Sequence, residues 1–135
     1  MEDCIFCSII NDPKDSYVLY EDELTMVILD IANDVDGHSL VIPKQHYDNI
    51  LDLDSEILNA IMKTVQKMSS HFIENLNYKG VNLLNANGSA ADQSVNHFHI
   101  HLIPRRNNDG IDAWPQFEGS KVTLEEMYEY LKIND

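Results

Sequence analysis

The chain has 135 residues, 44% of them apolar, which is the size of one domain with one real core. Nine basic residues against 23 acidic ones give a net charge of −14, which argues against nucleic-acid polymers and anionic membranes as partners. A small phosphate ligand stays open, because backbone amides and imidazoles build local electropositive pockets even in an acidic protein.

In chain order, Met1-Glu2-Asp3-Cys4 is acidic and lacks the basic-then-apolar layout of an export signal. No apolar stretch approaches the ~20 residues that span a bilayer. The expectation is therefore a cytoplasmic chain in a reducing compartment, with Cys4 and Cys7 as thiols rather than a disulfide. Cys4 to Ile10 predicts a short helix that stops before Asn11-Asp12-Pro13. Tyr17–Tyr20 and Leu24–Asp30 predict two strands around a tight turn at Glu21-Asp22-Glu23. After the loop Asn33–Gly37, Ser39–Ile42 predicts a third strand that Pro43 ends.

From Asp54 to Leu76, the residues Ile57, Leu58, Ile61, Met62, Val65, Met68, Phe72 and Leu76 recur at three- and four-residue spacing. That is one apolar stripe on a long helix, with Asp54 as N-cap and His71 on its surface. Tyr78–Leu84 and His97–Ile103 predict two more strands, and Thr123–Leu131 a terminal helix. The expected fold is a single α+β domain over residues 1–135: a five-stranded antiparallel sheet with helices segregated to one side, one long and the terminal ones short.

The fifth strand carries the chemistry. His97, His99 and His101 occupy every second position, so on a strand they leave one face roughly 7 Å apart while Phe98, Ile100 and Leu102 enter the core. Imidazole is both nucleophilic and able to carry a proton near neutral pH. The alternative is a solvated sheet face that is merely His-rich. The small, polar loop Asn85–Ser94 runs into this strand, with Gly88 for close backbone approach and with Gln93 and Ser94 as donors. It is readable as a phosphate or carboxylate cradle.

These residues resemble the histidine triad superfamily of nucleotide hydrolases and transferases. The resemblance rests on His97-x-His99-x-His101 with Gln93-Ser94-Val95 before it, on Gly37-His38-Ser39-Leu40-Val41-Ile42-Pro43-Lys44, and on Cys4-x-x-Cys7, and it spans nearly the whole chain. It implies a homodimer with the long helices packed together and a purine nucleotide or its conjugate as the small-molecule partner. By the same resemblance His99 is the nucleophile toward the α-phosphorus, and His101 holds a phosphate oxygen or passes a proton. His97 and His38 complete the catalytic set. Asp30 takes the ribose hydroxyls, Ile31 lines the base pocket, and Gln93 and Ser94 meet the phosphate, with Asn85 or Asn87 beside it. The implied activity is hydrolysis of a nucleoside phosphoramidate or nucleotidyl anhydride through a nucleotidyl–His99 intermediate. The alternatives are an asymmetric dinucleoside polyphosphate hydrolase, toward which Pro104-Arg105 points, and a low-turnover nucleotide sensor or scaffold.

Asp92 stands where many members carry glycine, and the expectation is that it points outward on a strained or shifted turn. Asn96 stands where an apolar or aromatic residue is common. The Cys4–Cys7 spacing alone leaves three readings open: a redox couple, half of a zinc site, or two buried thiols. The zinc-bearing members of the superfamily imply the second, with His46 and His97 completing a structural Cys₂His₂ site that takes no part in turnover.

Overall fold

The structure is a computed structural model that describes residues 3–32 and 34–134. Met1 and Glu2 of the acidic start, Asn33 of the predicted loop and Asp135 lie outside the described residues. Five strands, β1 (Val18–Glu21), β2 (Thr25–Leu29), β3 (Ser39–Pro43), β4 (Gly80–Leu84) and β5 (Ile100–Arg105), form one antiparallel sheet in the order β1-β2-β3-β5-β4. Among the described residues three α-helices accompany it: α1 (Ile5–Asn11), α2 (Ser55–Ser70) and α3 (Leu124–Leu131).

Alternation along the strands divides the core into two layers. Val27, Val41, Phe98, Ile100 and Leu102 face α2, where they meet Ile57, Ile61, Val65 and Met68. Met26, Ile28, Leu40 and Ile42 face the other way, onto Cys4 and Phe6. The helices are therefore not segregated to one side: α1 covers the sheet face that also carries the histidines. Periodicity reports which residues are apolar, not which face of a sheet a short helix will choose.

Local chemistry sets the joints. Asp22 closes the β1–β2 turn by accepting from the backbone N–H of Leu24 and Thr25 and from the Thr25 hydroxyl, at 2.8–3.0 Å. The Thr25 hydroxyl is also 2.8 Å from that of Thr64, a buried pair tying β2 to α2. Asp54 does hold the N-cap position of α2, but its side chain makes no capping bond and instead accepts from the Tyr47 hydroxyl at 3.1 Å. The regular helix ends at Ser70 and continues as a π-helical turn, His71–Asn75. Met62 and Leu76 of the predicted apolar stripe are over 40% exposed, so the buried seam is narrower than the pattern.

The histidine segment departs from regular strand in an instructive way. The ladder between β3 and β5 runs only from Val41↔Ile100 to Ser39↔Leu102, so His97–His99 precede the strand rather than belong to it. Upstream pairing fails because the Pro43 carbonyl is taken by the His97 side chain at 2.9 Å, while the Phe98 N–H turns to the Tyr47 carbonyl at 2.7 Å. Opposite, Gly37 has φ of +81°, and a Cβ there would come within 2.7 Å of Pro104 Cγ. Only glycine lets this turn close on β5 and deliver His38 to the sheet. Gly37→Ala is expected to cost about 1–3 kcal/mol, read as a lower urea midpoint with unchanged slope. A midpoint equal to wild type would mean that the turn relaxes without strain.

Candidate active site and metal-ligand cluster

Where β2, β3, β5 and α1 meet, Phe6, Ile9, Ile28, Ile31, Leu40, His99 and His101 line a cavity of about 410 Å³, with Asp30 and Ser94 adding polar groups to its wall. His99 is buried, 4% exposed, so its orientation is fixed by what it touches. Its Nδ1 lies 2.8 Å from the His97 carbonyl, an oxygen that can only accept. The hydrogen therefore sits on Nδ1, and Nε2 keeps a bare lone pair. The Phe6 ring meets the imidazole edge-on at 5.2 Å, and the His101 ring does so at 4.9 Å. Asn85 holds the same segment from behind, donating its amide to the His99 carbonyl at 2.8 Å.

Burial pushes His99 below the usual histidine range, so the ring is neutral at pH 7. Burial, helped by the neighbouring His99 and His38, pushes His101 down to about 4. His38 is buried between carboxylates, with Nδ1 2.8 Å from Asp34 Oδ1 and Nε2 3.5 Å from Asp30 Oδ2. Its Nε2 is also 2.8 Å from His101 Nδ1. A second cavity of about 410 Å³ opens on the far side of His38 and His101, against Asp34, Asn85, Leu84 and Ile111.

The other expected site residues separate. Asp30, Ile31 and Ser94 line the first cavity. Gln93 ties its loop to the segment after β3: its amide oxygen accepts from Gly88 N–H, and its NH₂ donates to the carbonyls of Asp48 and Val95. Asn87 accepts from Ile50 N–H and donates to Asn85, behind the cavities rather than in them. Within the loop the Gly88 N–H donates to the Gln93 side chain, and those of Ala91, Asp92 and Gln93 donate to the carbonyls of Gly88 and Ser89 around a 3₁₀ turn, so these four amides do not form the expected cradle. Asp92 is exposed and left-handed at φ 63°, outward as expected. Aspartate enters that region more readily than most residues. Sequence reasoning missed Phe6 and Asp34. The only signal for Asp34 is its spacing of four residues before His38.

His97 belongs elsewhere. It is wholly buried, with Nε2 on the Pro43 carbonyl and Nδ1 facing Cys4 Sγ at 3.3 Å and Cys7 Sγ at 3.6 Å. Both ring nitrogens are thus engaged away from the first cavity, which His97 does not line. His46 Nδ1 lies 3.4 Å from Cys7 Sγ, and its Nε2 lies 2.9 Å from Asp48 Oδ1. The four ligand atoms of Cys4, Cys7, His46 and His97 lie within 4.8 Å of one another. Each imidazole gives its N–H to an oxygen and turns its lone pair to the thiols, the arrangement a tetrahedral Cys₂His₂ metal requires. The residues fit such an ion.

Residues 11–108 match the HIT domain family. An uncharacterized HIT-like protein of Borreliella burgdorferi is 42% identical over 127 residues, covering 93% of this chain and 89% of that one. The adenosine 5'-monophosphoramidase HNT1 of Saccharomyces cerevisiae is 33% identical, covering 95% of this chain and 80% of that protein. The crystal structure of a zinc-bound histidine triad family protein from Mycobacterium smegmatis superposes with a TM-score of 0.77 at 35% identity, covering 83% of this chain and 81% of that one.

The low His101 value has a thermodynamic consequence. Between the unfolded-chain value near 6.5 and about 4, the unfolded chain binds a proton that the native site refuses. Stability present above pH 6.5 is therefore lost as pH falls toward 4. Urea unfolding of His101→Gln is expected to show a shallower loss across this window than wild type. An identical pH slope would contradict the assignment.

Proposed function

The chain belongs to the HIT family, and from that premise we propose that it is a hydrolase that cleaves a purine nucleoside 5′-phosphoramidate at the α-phosphorus and releases the nucleoside monophosphate. The observation that carries this reading is the bare Nε2 of neutral His99, held by the His97 carbonyl at the wall of an apolar slot with a carboxylate at its margin. The yeast relative bears the name of a phosphoramidase, which supports a P–N bond as the target. Neither cavity beside His99 and His101 is lined by lysine or arginine among the described residues, which disfavours the polyphosphate leaving group of a dinucleoside polyphosphate.

In this mechanism the base lies between Phe6, Ile9 and Ile31, and Asp30 accepts the ribose hydroxyls. His99 Nε2 attacks phosphorus in line with the leaving nitrogen, forming a nucleotidyl–His99 adduct, and water then displaces the imidazole. His101 is the proton-transfer partner. Ser94 meets the phosphate, while Gln93 holds the loop that presents it and Asn85 steadies the His99 backbone. The intact triad favours turnover over a sensor role.

The Cys4, Cys7, His46 and His97 cluster would hold a structural zinc that fastens the start of the chain to the sheet, and no step passes through it. The reading also makes the protein a cytoplasmic homodimer. Exposed Met62, Leu76 and Leu83, with β4 at the sheet edge, supply apolar surface for a second copy. No helix among the described residues is long and apolar enough to cross a membrane.

His99→Ala is expected to lower turnover of a nucleoside phosphoramidate by about 10⁴-fold or more while nucleotide affinity, measured by calorimetry, stays within a few-fold. Comparable turnover refutes the nucleophile, and radiolabel trapped on His101 in wild type would reverse the two roles. For the metal, Asp48→Ala is expected to weaken zinc about 10–100-fold in a chelator competition with both thiols intact. Protein purified without chelator that contains no zinc would remove the metal from this account.

A further inference from the structure

The pair His38–His101 is built to store a proton, and Asp34 is its fixed end. A carboxylate only accepts, so His38 Nδ1, 2.8 Å from Asp34 Oδ1, carries a hydrogen. One further proton lies between His38 Nε2 and His101 Nδ1, 2.8 Å apart. If both rings are neutral, that proton is on His101 Nδ1 and the Nε2 of His101 is bare. If the pair holds one extra proton, His38 has hydrogens on both nitrogens and His101 presents Nε2–H to the reacting centre.

We propose that Asp34 is a positioning residue that keeps the His38–His101 pair loaded with this extra proton, for delivery to the leaving nitrogen as it departs toward the second cavity. The inference rests on the phosphoramidate reading above. The charged and titratable groups facing the pair are Asp34 from its own loop, Asp30 from the end of β2, and His99 just before β5. Two carboxylates, and no lysine or arginine paired with them among the described residues, favour the loaded state. Asp34 and Asp30 lie 2.8 and 3.5 Å from the two His38 nitrogens, so the carboxylates flank the His38 end of the pair. Asp34 responds in kind: its hydrogen bond from His38 holds its carboxyl below the usual carboxylate range. It also accepts from Val35 N–H at 2.9 Å, which orients the carboxylate without help from the substrate.

The protons balance over the cycle. In the first displacement the His99 Nε2 lone pair bonds to phosphorus and the P–N electron pair leaves with nitrogen. That nitrogen takes the proton from His101 Nε2, while His101 Nδ1 takes the one from His38 Nε2. Both rings end neutral, and His101 Nε2 is bare. In the second, water oxygen bonds to phosphorus and the P–N pair of the adduct returns to His99. The water's proton goes to His101 Nε2, and the Nδ1 hydrogen returns to His38. The pair ends loaded as it began, and the net change is addition of water. Asp34 thus serves two rings as the triad aspartate of a hydrolase serves one.

The test compares two substrates of the same nucleoside monophosphate, an alkylamine phosphoramidate and a 4-nitrophenyl ester, on the full chain. The amine must be protonated to leave, and nitrophenolate need not be. Asp34→Asn is expected to lower kcat for the amine about 100-fold with KM little changed, and to lower it for the ester less than about 5-fold. The alkaline limb of the amine kcat profile should move to lower pH. Asp34→Glu, which restores the charge, is expected to recover at least about tenfold of the lost amine activity. Equal loss on both substrates, or no loss on the amine, overturns the proposal while leaving the hydrolase reading intact. A wild type that turns over neither substrate overturns both.

Discussion

One hydrogen bond, from His99 Nδ1 to the His97 carbonyl at 2.8 Å, organises the site. It fixes the tautomer, the ring plane and the direction of the free Nε2 at once, and a side chain that is 4% exposed has little other freedom. The bond requires the segment to leave the sheet ladder, since that carbonyl must turn inward to the ring. The chain meets this requirement by giving the Pro43 carbonyl to the His97 imidazole and the Phe98 N–H to Tyr47. A short irregular stretch, stabilised on both sides, is what allows a buried imidazole to be aimed.

The same segment serves two sheet faces. Phe98, Ile100 and Leu102 lock it to the layer under α2, so the histidines on the opposite side cannot rotate away. On that opposite side α1 places Phe6 edge-on to both His97 and His99, at 5.6 and 5.2 Å. The Cys4, Cys7, His46 and His97 cluster and the first cavity are neighbours sharing this backbone. A metal in the cluster would set the position of His97, and hence of the carbonyl that aims His99. Structural and chemical roles are separate in their atoms and coupled through two residues of main chain.

Much of this was legible in the sequence. Period-two alternation identified which residues of 97–103 share a face, and the three- and four-residue spacing identified α2, because burial selects those patterns directly. The first residue of β5 was not legible, since a ladder needs a partner strand and His97–His99 have side-chain and loop partners instead. Nor was the placement of α1 over the histidine face, which depends on tertiary packing that seven residues do not encode alone. Gln93 read as a ligand donor, because its type and position cannot reveal that three backbone groups of its own neighbourhood consume its amide. Asp34 was passed over for the opposite reason: an acidic loop residue is ordinary until the fold brings His38 and His101 into line with it.

The proposed chemistry turns on whether phosphorus is attacked twice or once. Hydrolysis of a nucleoside phosphoramidate made chiral at phosphorus, with sulfur and labelled oxygen in place of its non-bridging oxygens, reads this directly. Two in-line displacements, by His99 and then by water, each invert, so the product is expected to retain configuration. Inversion would mean that water attacks the substrate itself, and the aimed imidazole would lose its role as nucleophile.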